Sequence, residues 1–115
     1  MKLAVVFLNK IEFLDDILAA FLEIGVRGAT VIDSVGMGHI ISQHIPIFAG
    51  LRDAFAGSSP NNKIILAVVE EYMVEKISEV VDDICWSQAE GKAGFMISLD
   101  VDKVFGLKPG ESKDL

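Results

Sequence analysis

A chain of 115 residues fits a single domain that can fold without metal or disulfide staples. Ten basic residues against 17 acidic give a formal net charge of −7, which opposes binding to nucleic acid, since that interaction needs Lys and Arg clustered against phosphate. A hydrophobic fraction of 51% with a mean hydropathy of +0.46 is high for so short a chain, so some apolar surface is expected to be shared with other subunits.

In chain order, Leu3-Ala4-Val5-Val6-Phe7-Leu8 has no polar alternation and reads as a central strand covered on both faces. It is too short for a signal peptide, and Glu12, Asp15 and Asp16 interrupt the pattern. No charge-free apolar run is long enough to cross a bilayer, and the lone cysteine, Cys85, fits a reducing compartment, so a cytoplasmic protein without membrane insertion is expected. Asn9 as cap with Glu12 three positions on predicts a capping box, followed by a helix through Ile11, Leu14, Ile17, Leu18, Phe21 and Leu22 that Gly25 ends. Glu12, Asp15, Asp16 and Glu23 fall on its opposite, solvated side.

A second strand is predicted over Gly28–Val35, then a glycine turn at Gly36-Met37-Gly38, then a long, poorly periodic excursion from about Ile40 to Asn62. Connections in compact domains usually run to about 4–6 residues, and much longer ones are mostly functional or disordered. This segment is therefore the expected working part. Lys63–Val69 reads as another strand buried on both faces, Met73–Cys85 as an amphipathic helix with Glu75, Glu79, Asp82 and Asp83 outside, and Phe95–Leu99 as the fourth strand. Short turns around Gly106 and Pro109-Gly110 close a single domain over 1–110, with 111–115 a mobile tail.

Leu3-Ala4-Val5-Val6 recurs as Leu66-Ala67-Val68-Val69, and at the same offset of 63 Leu14 meets Ile77, Leu18 meets Val81 and Phe21 meets Ile84. Two βαβ units interleaved give the α+β, ferredoxin-like βαββαβ arrangement, with both helices on one face of a four-stranded antiparallel sheet. The other face is apolar, so assembly through it is expected, with clefts between subunits as candidate ligand sites.

The order of elements, the Gly36-Met37-Gly38 turn after Asp33-Ser34-Val35, the long loop and a second glycine turn before the last strand resemble the P-II signalling family over about residues 1–110. The loop motif Ile45-Pro46-Ile47-Phe48-Ala49-Gly50-Leu51-Arg52 is similar to a divergent P-II-like branch more than to the nitrogen regulation members. The resemblance implies a homotrimer and a non-catalytic, nucleotide-responsive signalling protein. It would bind ATP, ADP or AMP as effector, with no obligatory cofactor, in intersubunit clefts. The long T-loop, residues 40–62, would engage a transporter, channel or enzyme.

By that resemblance the ligand-binding residues are Gly36, Met37, Gly38 and His39 at the first turn, Gly91, Lys92 and Gly94 at the second, and Lys108 near the end. His39 stands where the family has an arginine, Gly91-Lys92-Ala93-Gly94 replaces the family's Gly-Asp-Gly-Lys, and Gly106 takes the place of one phosphate-contacting arginine. Backbone amides of both turns could form an anion nest, with Lys92 and Lys108 supplying charge. The only tyrosine, Tyr72, lies outside the loop, so the tyrosine modification of the nitrogen-regulatory members is not expected.

In the loop, Phe48, Leu51 and Phe55 stand at helical spacing with Arg52 between them, which suits either a short helix packed on its own trimer or an apolar anchor for a partner groove. Gly57–Asn62 reads as a flexible return. An alternative is a metal-binding trimer using His39, His44 and Cys85, or a purely protein-interaction trimer; the histidine spacing matches no zinc motif, so no metal residue is assigned. No catalytic residue is assigned either, because no nucleophile-elbow, Walker or zinc-protease motif is present.

Overall fold

In the computed structural model, which describes residues 1–44, 62–86 and 93–107, four strands form one antiparallel sheet. They are β1 (Lys2–Leu8), β2 (Thr30–Ser34), β3 (Asn62–Val69) and β4 (Gly94–Asp100), in the spatial order β2-β3-β1-β4. The helices are α1 (Leu14–Ile24), α2 (Met37–His44) and α3 (Glu71–Val81). This is the ferredoxin-like arrangement anticipated from the doubled βαβ pattern. The central strands are the two apolar runs, β1 and β3, paired with Ala4 opposite Ala67.

Residues directly opposite in an antiparallel pair share a face, so the register sorts the side chains. Ala4, Val6 and Leu8 with Ile65, Ala67 and Val69 lie on the helix side and are buried, against Ile17 and Phe21 of α1 and Met73, Ile77 and Val81 of α3. Each large side chain so buried contributes about 1.5–3 kcal/mol. The other face carries Leu3, Val5 and Phe7, then Ile64, Leu66 and Val68, then Phe95, Ile97 and Leu99, and among the described residues the helix core packs on the opposite side. Phe95, Ile97 and Leu99 are exposed. Among the described residues, the helices supply the expected cover on one face of the strands.

Gly25 does end α1: it is left-handed at φ 103, and Val26 N–H donates back to the Phe21 carbonyl at 2.7 Å. The acidic residues placed outside both helices are exposed. Several boundaries differ. The capping box does not form, because Asn9 N–H donates to the Ala93 carbonyl at 2.6 Å and so belongs to the strand edge; a 3-10 turn, Ile11–Phe13, leads into α1 without a side-chain cap. β2 starts at Thr30, two residues after the buried Gly28. The predicted second helix splits into α3 and a π-helical turn, Asp82–Trp86, in which Cys85 is buried.

The glycine turn is the largest correction. α2 begins at Met37, with Ile40 N–H on the Gly36 carbonyl at 3.2 Å, so Gly38, His39 and Ile40 are helical. The left-handed glycines among the described residues are Gly25, Gly94 and Gly106; Gly36 and Gly38 do not use that freedom. The equivalence of the helices also shifts: Ile17 and Phe21 correspond in burial to Ile77 and Val81, an offset of 60 in place of 63. The reason is the connection, since the 3-10 turn lengthens the path from β1 to α1 while Glu70 alone joins β3 to α3.

Candidate functional site

The connectivity brings the last residues of β1 and β2 and the first of β3 and β4 to one end of the sheet. A cavity of about 260 Å³ opens there, lined by Phe7, Leu8 and Asn9 from β1, Ser34, Val35 and Gly36 from β2 and its exit, Asn62, Lys63 and Ile64 from β3, and Phe95 from β4. Its floor is the open sheet face, because Phe7 is paired with both Ile64 and Phe95, and the Phe7 and Phe95 rings stack at 4.6 Å and 20°. Ser34 opposite Asn62 closes the side.

Lys63 is the charged residue among those lining the cavity, but the register puts its side chain with Leu8 and Asp33 on the helix side, and its ammonium is ion-paired with the Asp33 carboxylate. Among the described residues the cavity wall is thus apolar or neutral-polar. The Asn62 side-chain oxygen is buried without a hydrogen-bond partner among the described residues. Asn62 also stands against Gly36: a Cβ on that glycine would sit 3.4 Å from the Asn62 amide nitrogen. The two residues mark where the long excursion leaves the sheet and where it returns, so the cavity lies between the stems of the loop.

Of the residues anticipated as ligand-binding, Gly36 lines this cavity. Met37 is 72% exposed, and Gly38 and His39 lie in the first turn of α2, outside the lining. Gly94 is the first residue of β4 in place of a turn residue, and its φ of +137 and its closeness to the Phe7 main chain give it a structural task. Gly91, Lys92 and Lys108 lie outside the described residues, as do Phe48, Leu51, Arg52 and Phe55. Asn62, read from sequence as the end of a flexible return, is instead the first residue of β3. Phe7, Asn9, Ser34 and Phe95 join it in the cavity; the clue available in the sequence was that Asn9 directly follows one apolar run and Phe95 opens another.

Among the described residues no group of three or more His, Cys, Asp or Glu comes together to hold a metal. Cys85 is fully buried, donates to the Val81 carbonyl at 3.2 Å, and has its thiol pushed up in pKa by burial. At the far end of the sheet, Lys2 and Asp100 form an ion pair that lowers the carboxyl's pKa and raises the ammonium's. No described helix is long and apolar enough to cross a membrane.

No family model matches the sequence, and no curated protein matches it. The fold does have solved counterparts. The crystal structure of the Arabidopsis thaliana PII protein bound to citrate superposes with a TM-score of 0.60 at 18% identity, over 87% of this chain and 73% of that one. At that identity the likeness establishes architecture, and with the sheet order and helix placement above it shows that the chain has a PII-like, ferredoxin-like fold.

Proposed function

We propose that the protein is a non-catalytic signalling protein that binds a small anionic effector, an adenine nucleotide or similar, in clefts between subunits of a homotrimer and controls a partner protein through residues 40–62. The observation that carries this reading is the cavity between the loop's two stems. A ligand there touches Gly36 on the outgoing side and Asn62 on the returning side, so occupancy and loop conformation are energetically linked.

Two further observations support it. The open sheet face beside the cavity is a continuous apolar surface over three strands, with Phe95 57% exposed, and a second copy of the chain would remove it from water while walling the cavity. The structural counterpart was solved with citrate, a small polyanion. In this chain Lys92 and Lys108 are the proposed partners for the effector's charge, and the exposed Met37 and Ile40 extend the apolar character of the loop's first turn toward a protein target.

The test is a thermal-shift and calorimetry screen of ATP, ADP, AMP and citrate, with the mass in solution measured by light scattering. A ligand that binds the folded state must raise the melting temperature. Trimer mass with a saturable shift supports the reading. A monomer that answers to none of these ligands refutes it, and robust nucleotide hydrolysis lost on mutating Gly36 would overturn the non-catalytic assignment.

A further inference from the structure

Resting on the homotrimer just proposed, we infer that residues 101–107 form an arm that reaches a second copy of this chain and seats Phe105 on that copy's apolar sheet face. Phe105 is 86% exposed, the highest value among the exposed large hydrophobic residues described. It follows Phe95, Ile97 and Leu99, which are exposed along β4, so one stretch of chain displays four large apolar side chains. Contiguous apolar display of this kind marks interaction surfaces, and phenylalanine is enriched where proteins meet.

The arm is seated on its own chain up to that residue. Val101 N–H donates to the Met1 carbonyl at 3.2 Å, which carries the β1–β4 ladder one residue past β4. Val101, Val104 and Leu107 are half-buried, and Gly106, left-handed at φ +87, bends the chain directly after Phe105. Phe105 is therefore presented from an ordered segment, and docking it on a partner carries little of the ordering cost that a loose tail would incur.

The partner is a second copy because of charge and of area. Copies of a chain with a net charge of −7 repel one another. The arm balances Asp102 with Lys103, and the face positions paired across β3, β1 and β4 are apolar, so here two acidic molecules can meet without opposing charges of one sign. Four strands of about seven residues outline a face of roughly 440 Å², at about 4.8 Å per strand and 3.3 Å per residue. In a ring that area is divided between two neighbours, well below the about 800 Å² that each partner contributes to a stable interface. A phenylalanine adds about 150–250 Å² when buried. An arm given to one neighbour and accepted from the other is a head-to-tail contact, the kind that closes into a ring.

The experiment compares the full chain with Phe105→Ser by sedimentation equilibrium over a range of concentrations, with circular dichroism as the check on folding. Because Phe105 is exposed in the single chain, its replacement should leave the spectrum unchanged. Self-association should weaken at least ~10-fold, the loss expected when a buried aromatic contact is removed. A second measurement locates the contact. Phe105→Cys is mixed under mild oxidation with a mass-tagged copy carrying Phe95→Cys, Ile97→Cys or Leu99→Cys, and with Leu22→Cys on α1, 63% exposed, as the control. A disulfide forms only where the two Cα atoms come within about 7 Å, and the buried Cys85 stays out of the exchange. Mixed-mass cross-links are expected with at least one face position and not with the control.

Undiminished association of Phe105→Ser overturns the proposal. So does cross-linking to Leu22→Cys alone, and so does the absence of a cross-link at all three face positions. If wild type is a trimer and Phe105→Ser associates equally well, this inference falls and the homotrimer stands; if wild type is a monomer, both fall.

Discussion

Gly94→Ala separates structural need from ligand binding at a residue that the family resemblance assigns to the proposed effector site. Gly94 is paired with Leu8 and adopts φ +137, a region that side chains other than hydrogen rarely enter. A Cβ there would overlap the Phe7 carbonyl oxygen, stand 2.8 Å from the Phe7 carbonyl carbon and 3.3 Å from Leu8 Cα. All three are main-chain atoms of a central strand, so relief requires β4 to move away from β1. The backbone strain costs about 1–3 kcal/mol, and loosening one ladder hydrogen bond adds about 1 kcal/mol. A loss of roughly 2–4 kcal/mol out of a typical ~5–15 kcal/mol is severe but survivable. At about 4 °C per kcal/mol for a domain of this size, the melting temperature should fall by roughly 8–16 °C without any ligand present. Gly106→Ala is the control, since its φ is +87 and nothing lies within 4 Å of the added Cβ; strain alone costs it about 1–2 kcal/mol. Circular dichroism melts of the two variants decide the matter. If Gly94→Ala melts within ~2 °C of wild type, the close approach of the two strands is not the reason for the glycine.

Phe95→Asp places a charge in the exposed apolar face and, on the proposed trimer, should yield monomer by light scattering; a mass unchanged from wild type would show that this face is not the interface. The Lys2–Asp100 pair holds the carboxyl below its ordinary 3.8 and the ammonium above its ordinary 10.5. Its contribution is therefore present above the unfolded carboxyl's pKa and lost as pH falls through the folded one, and at the alkaline end it is complete below 10.5 and lost as pH rises through the raised ammonium value. Lys2→Met should move the Asp100 carboxyl titration, followed by NMR, back up toward 3.8. Cys85 is buried and its thiol is shifted up from 9.0 by that burial, so in native protein at neutral pH it should resist iodoacetamide and react at the rate of unfolding; rapid stoichiometric labelling would contradict the core placement.

The strands and helices around the core were legible in the sequence because their signal is local. Apolar runs such as Leu3–Leu8 and Ile64–Val69, the three- and four-residue steps through Ile17, Phe21, Ile77 and Val81, and the glycine at 25 are set by a few neighbouring side chains and dihedrals. The doubling of the βαβ pattern, read with them, was enough for the sheet and its layers. The first turn of α2 was not legible, since Gly38 inside a helix costs about 1 kcal/mol against alanine and local preference alone favours a turn. Tertiary structure decided that point, and it also brought the cavity together. Phe7, Asn62 and Phe95 are far apart in the chain and meet only because strand register puts them in adjacent positions on one face, while the requirement for glycine at 94 comes from the main chain of a different strand. Register is fixed by the whole sheet at once, so no window of sequence contains it.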